Sequence, residues 1–230
     1  VGNLPFRRLC KKLQAEVTVG EMAMATNLLM GKSSEWALLR RHPCEDIFGV
    51  QVCGGFADSL TRCGQLIREH VKCDFVDINC GCPIDMICEK GGGSALLDKP
   101  HRLQQILGGM TKALPCAVTV KVRIAKDDKS TCVHEHILPK LKEWGANAIT
   151  IHGRTKQQRY TKLANWDYIY KCSNSSPIPV IGNGDIFSYA DYAKHMEGNK
   201  GLAGVMIGKL HQCVWKISKQ QLLKLFSTTL

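Results

Sequence analysis

The feature that most constrains this chain is an alternation. Short, nearly continuous apolar runs rich in β-branched residues recur along it, and longer amphipathic stretches lie between them. The runs fall at residues 17–22, 46–52, 75–79, 117–122, 148–152, 179–182 and 204–207, and the amphipathic stretches at 35–41, 59–70, 101–114, 137–144 and 189–196. A strand that is apolar on both faces must be covered on both faces, which is the condition of a parallel sheet wrapped by helices. Spacings mostly near roughly 30 residues are those of βα units. The fold class expected is therefore α/β, a (β/α)8 TIM barrel over residues 1–207, with a helical tail of different character over 208–230. Seven runs are one short of a closed barrel. A strand before Val1 is expected to complete it, because Gly2 to Phe6 reads as a loop entering a helix at 7–13. A doubly wound sheet is the rival. It would place a Gly-x-Gly-x-x-Gly turn after the first strand, and no such turn follows residue 22.

Charge and cysteine content narrow the function classes. Thirty-one Lys and Arg against 20 Asp and Glu leave a net charge of +11, which favours a polyanionic partner, nucleic acid first. Twelve cysteines are spread along the chain with no Cys-x-x-Cys pair, so neither a zinc cluster nor a disulfide framework is expected. Cys132-Val133-His134-Glu135-His136 is the one metal-like stretch, and it reads as helix or loop surface. No apolar run is long enough to cross a membrane. Without a secretory leader at its start, the chain reads as a cytoplasmic or nuclear protein with reduced thiols.

The strand ends carry the chemistry. In order they bear Glu21, Gln51, Asn79 with Cys82, Lys121 with Arg123, His152 with Arg154, and Asn183-Gly184-Asp185. In a barrel, all strand C-termini share one face, where catalytic groups gather. Asp77-Ile78-Asn79-Cys80-Gly81-Cys82-Pro83 sets a thiol in a tight turn beside an amide. Lys90-Gly91-Gly92-Gly93-Ser94 is Gly-rich but lacks the Lys-Ser/Thr ending of a P-loop. Lys121 and Arg123 alternate onto one strand face, and two cations there suit an anionic ring or a phosphate. Glycines around Asn183 let backbone N–H groups approach a phosphate closely.

Taken together, these stretches resemble the tRNA-dihydrouridine synthase family of barrels that bind flavin mononucleotide (FMN). The matching segments are Leu4-Pro5-Phe6-Arg7, 77–83, 90–96, 120–123, His152-Gly153-Arg154-Thr155 and 182–186; 43–51 and 158–164 look most like the eukaryotic type-3 branch. The resemblance implies that Cys82 is the general acid, and that FMN contacts Gln51, Asn79, Lys121, His152, Asn183, Gly184, Asp185, Gly208 and Lys209. It also implies that Arg123 and Arg154 touch cofactor or RNA, that NADPH is the electron donor, and that tRNA is the substrate. An ordinary thiol, with a pKa of about 8.5, is mostly protonated at neutral pH and so suits an acid. The family's Ala-Arg-Gly after the last strand is replaced here by Gly208-Lys209-Leu210, and its C-terminal helical domain for gripping tRNA is missing from this sequence. Two other readings are an RNA-binding or interaction fragment without turnover, and an FMN barrel acting on a free pyrimidine.

Overall fold

The computed structural model describes residues 2–127, 133–198 and 201–208. Eight strands run in one parallel sheet: β1 (Val17–Val19), β2 (Ala23–Met24), β3 (Ile47–Cys53), β4 (Phe75–Cys80), β5 (Ala117–Arg123), β6 (Ala148–His152), β7 (Val180–Asn183) and β8 (Leu202–Met206). The order is β1-β3-β4-β5-β6-β7-β8, with β2 also paired to β3. β1 pairs with Ile47–Gly49 and β2 with Val52–Cys53, so the two occupy one interrupted barrel position. The expected strand 17–22 is thus split. The break at Gly20 is a point of close approach, since a Cβ there would lie 2.8 Å from the Leu38 carbonyl oxygen. Seven positions of a (β/α)8 barrel result. Among the described residues no strand joins β1 to β8, and the sheet is open along that seam.

The helices follow from local signals. α1 (Leu4–Lys12) opens with Asn3 capping the Phe6 N–H and Pro5 in the first turn, where a missing N–H costs nothing. α2 (Ala25–Leu29) and α3 (Ser33–Leu38) are short. α4 (Ala57–His70) buries Leu60, Cys63, Gly64 and Ile67, the spacing of a single helical face. That face meets Leu103, Ile106, Leu107 and Met110 of α6 (Pro100–Ala113); α5 (Asp85–Glu89) precedes α6. α7 (Val133–His136) is a single turn, and α8 (Trp166–Ser175) and α9 (Tyr189–Glu197) cover the last strands.

Two sequence expectations are corrected. Residues 137–144 form a 3₁₀ turn at Leu138–Lys140 and further turns, since Pro139 and the nearby Gly145 at φ +96 do not support a longer helix. Helix α8 was not foreseen, although Asn165 capping the Tyr168 N–H marks its start. Cys132 lies outside the described residues; His134 Nε2 lies 2.9 Å from Ser175 Oγ.

Candidate active site

Because every strand is parallel, every strand C-terminus opens at the same end. There a cavity of about 790 Å³ is lined by Gln51, Asn79, Cys82, Lys121, Arg123, His152, Arg154, Asn183, Gly184, Asp185 and Gly208. Residues up to 157 positions apart (51 to 208) thus share one wall. Lys209 lies outside the described residues.

Cys82 is presented by the loop after β4. Asn79 Oδ1 accepts from the N–H groups of Gly81 (3.2 Å) and Cys82 (2.9 Å), closing the turn. Asn79 Nδ2 donates to Gln51 Oε1 (2.9 Å), and Gln51 Nε2 donates to Asp77 Oδ2 (2.7 Å). Thr119 Oγ1 donates to Asp77 Oδ1 at 2.7 Å. The chain of bonds fixes which way each amide faces, and it ends on a carboxylate buried under the cavity floor. Burial pushes the Asp77 carboxyl up from its ordinary value, against the opposing pull of Thr119, Gln51 and Lys121. A lone Asp inside an apolar strand was the sequence signal for this group, and it went unread.

The structure separates Cys82 from its neighbours. Cys80 is fully buried and its thiol is pushed well above the usual range by burial; burial likewise pushes Cys53 up to about 12. Cys82 is half-buried on the cavity wall. Behind it the Gly-rich segment packs backbone on backbone: at Gly93 (φ +57), a Cβ would come within 2.7 Å of the Cys82 carbonyl oxygen. That segment serves close packing of the Cys82 loop.

Lys121 projects from β5 and donates to Asn183 Oδ1 at 3.0 Å. Burial draws its ammonium down to about 8, with Asp77 opposing and Arg123 reinforcing the shift. His152 on β6 is lowered to about 3, by burial first and then by Lys121, Arg123 and Arg154, so its ring is neutral at physiological pH. Arg154 Nη1 lies 3.2 Å from His152 Nε2. A guanidinium can only donate, so Nε2 is the acceptor and the ring proton sits on Nδ1.

The two arginines are tied to the protein. Arg123 donates from Nε to Gly81 O (3.0 Å) and from Nη1 to Thr155 O (2.8 Å). Arg154 donates from Nη2 to both oxygens of Asp185 (2.6 and 2.8 Å) and from Nε to Lys162 O (2.6 Å). Both guanidinium carbons lie within 6 Å of the ring centre of Tyr160, a wall residue that the sequence reading placed in the 158–164 stretch but not among the site residues. Asp185 also accepts from Ala164 N at 2.6 Å. Its backbone sits at φ +55, and Gly184 at φ +122, so the turn after β7 is held in left-handed conformations by these bonds.

The family model for dihydrouridine synthase matches residues 1–221. A Xenopus laevis protein described as tRNA-dihydrouridine(47) synthase [NAD(P)(+)]-like is 51% identical over 209 residues, covering 90% of this chain and 32% of its own length. The Homo sapiens protein of that description gives the same figures. The Arabidopsis thaliana one is 51% identical over 211 residues, covering 91% of this chain and 30% of its own. The chain spans about a third of the length of these relatives. A match over nearly the whole sequence, with the cysteine turn, lysine, histidine and Asn-Gly-Asp turn gathered on one barrel rim, places this chain in the dihydrouridine synthase family.

Proposed function

We propose that this chain is the flavin-binding core of an enzyme that reduces a uridine in tRNA to dihydrouridine, with NAD(P)H as electron source. The observation that carries the reading is the convergence of Cys82, Lys121 and His152 on one cavity. Its size lies in the range of cofactor pockets, roughly 300–1,000 Å³. The donor set suits FMN. A cationic Lys121 faces an electron-rich ring edge, neutral His152 offers an Nδ1 proton, and the glycine-containing Asn183-Gly184-Asp185 turn lets backbone approach a phosphate. The family resemblance assigns Gly208 and Lys209 to that phosphate side, of which Gly208 lines the cavity, and Gln51 and Asn79 orient the ring or the base. The chemistry such a flavin supplies when bound is delivery of a hydride to carbon 6 of a uracil.

The protein's own part is to hold a proton at Cys82 Sγ and deliver it to carbon 5. Asn79 fixes the Cys82 backbone, so the thiol keeps one approach to the cavity. The base must leave its stack to reach the rim, as for other base-modifying enzymes. Arg123 lines the wall without a carboxylate partner among its hydrogen bonds to described residues, whereas Arg154 is neutralised by Asp185 and acts by holding the turn after β7. The net charge of +11 favours RNA over a free pyrimidine. The relatives' printed names support uridine 47 as the target. The stretches 43–51 and 158–164 support the type-3 branch as the lineage. A tRNA substrate, as in the relatives' printed names, supports a cytoplasmic or nuclear setting. No helix of the described residues is long and apolar enough to cross a membrane.

The test is direct. Purified chain is expected to be yellow and to release FMN on denaturation. Cys82→Ala is expected to keep the colour and lose dihydrouridine formation by about 10²- to 10⁴-fold, the usual contribution of a general acid. Colourless protein that cannot be reconstituted with FMN sinks the proposal. Salt-sensitive tRNA binding without turnover by coloured protein shifts the reading to a binding fragment.

A further inference from the structure

Behind the turn that follows β7 stands an aromatic assembly outside the residues named so far for the reaction. Trp166, the first residue of α8, donates from Nε1 to the Gly184 carbonyl oxygen at 3.0 Å. Its six-membered ring fills the space beneath Gly182, where a Cβ would come within 2.4 Å of it. His195 of α9 lies flat on the Trp166 ring, ring centres 3.6 Å apart and planes 13° apart, and its Nδ1 is 2.7 Å from Tyr170 Oη. Gly184 and Asp185 line the cavity; Trp166 approaches the same peptide without lining it.

The peptide geometry gives this contact a direction. The Gly184–Asp185 bond is trans, so its C=O and N–H point in opposite directions. With the Gly184 carbonyl held by Trp166, the Asp185 N–H points away from that indole. We infer that Trp166 is a positioning residue for the phosphate end of the flavin, aiming the Asp185 N–H at it by bonding Gly184 O. The inference rests on the flavin reading above, and it deepens that reading by naming the part of the ligand that Trp166 serves. Asp185 is bound by its side chain to Arg154 and Ala164 N, which fixes where the residue sits. Trp166 sets the tilt of the peptide plane. The two constraints together hold a non-glycine residue at φ +55.

A test compares two ligands that differ only in the phosphate, titrating the chain with FMN and with riboflavin and reading quenched flavin fluorescence. Trp166→Phe keeps a ring beneath Gly182 and against His195 but removes the donor. Its FMN affinity is expected to fall about five- to tenfold, the effect of one lost hydrogen bond, with riboflavin affinity unchanged. His195→Leu removes the stacked ring and leaves the donor. It is expected to lower the melting temperature while preserving the wild-type FMN-to-riboflavin affinity ratio. Equal losses for both ligands in Trp166→Phe, no loss for either, or a changed ratio in His195→Leu each overturns the inference. Wild-type chain that binds neither flavin overturns the flavin reading and this inference together.

Discussion

Lys121 and Asn183 meet across the cavity floor: Nζ donates to Oδ1 at 3.0 Å, tying β5 to β7 over the intervening β6. Asn183 Nδ2 continues the tie to Met206 O of β8 at 2.7 Å. A buried ammonium is thus held by a neutral amide, with the Asp77 carboxylate below it.

On the proposed flavin reading, this arrangement predicts an affinity that depends on pH. The folded-state value of Lys121, about 8, lies below its ordinary 10.5. Its contribution to stability is therefore fully present above about 10.5 and is lost as pH falls through about 8. A ligand that favours the ammonium reverses that preference. FMN affinity is expected to be flat below pH 8 and to weaken about tenfold per unit above it. Calorimetric titration from pH 6.5 to 9.5 should show the break, and Lys121→Arg should abolish it.

Asn79→Ala tests whether the thiol is positioned by its backbone. Two N–H groups lose their acceptor and Gln51 loses its donor. The expected result is a fall in kcat of about ten- to a hundredfold, with FMN absorbance retained and stability lowered by about 1–3 kcal/mol. Retained kcat in a variant that still binds flavin would show that the loop holds Cys82 without this amide.

Asp185→Asn leaves a residue tolerant of φ +55 but removes the charge that faces Arg154. A buried guanidinium deprived of its carboxylate is expected to cost about 3 kcal/mol in urea unfolding. A cost below about 1 kcal/mol would mean that solvent reaches Arg154.

Arg7 and Glu45 anchor α1 to the start of β3 through a 2.7 Å ion pair, both side chains buried, with Thr18 Oγ1 also donating to Glu45. Burial alone would raise the Glu45 carboxyl, but Arg7, the His42 N–H and Thr18 together hold it below its ordinary value. The stability this adds is present above the usual carboxylate pKa and lost as pH falls through the lower folded value. Thermal melts from pH 7 to 3 should show wild type losing stability more steeply than Glu45→Gln, which starts about 3–5 kcal/mol lower.

The barrel and the order of its strand ends were legible in the sequence because both depend on local pattern. Apolar runs of strand length specify a parallel sheet, and a parallel sheet sends every C-terminus to one rim. That logic named Gln51, Asn79, Cys82, Lys121, His152 and Asn183 before any coordinates. It did not foresee helix Trp166–Ser175, and it extended a helix through Pro139, where the chain makes a 3₁₀ turn. It also could not say that Arg154 is closed onto Asp185 and Arg123 onto Gly81 and Thr155, or that Asp77 lies under the floor. Those facts are pairings between residues 26 to 42 positions apart, fixed by how strands curl and loops fold back. Side-chain type and spacing determine which groups reach the rim. Only tertiary packing decides which of them turn inward to hold the protein and which face the cavity, because that choice depends on the nearest partner in space.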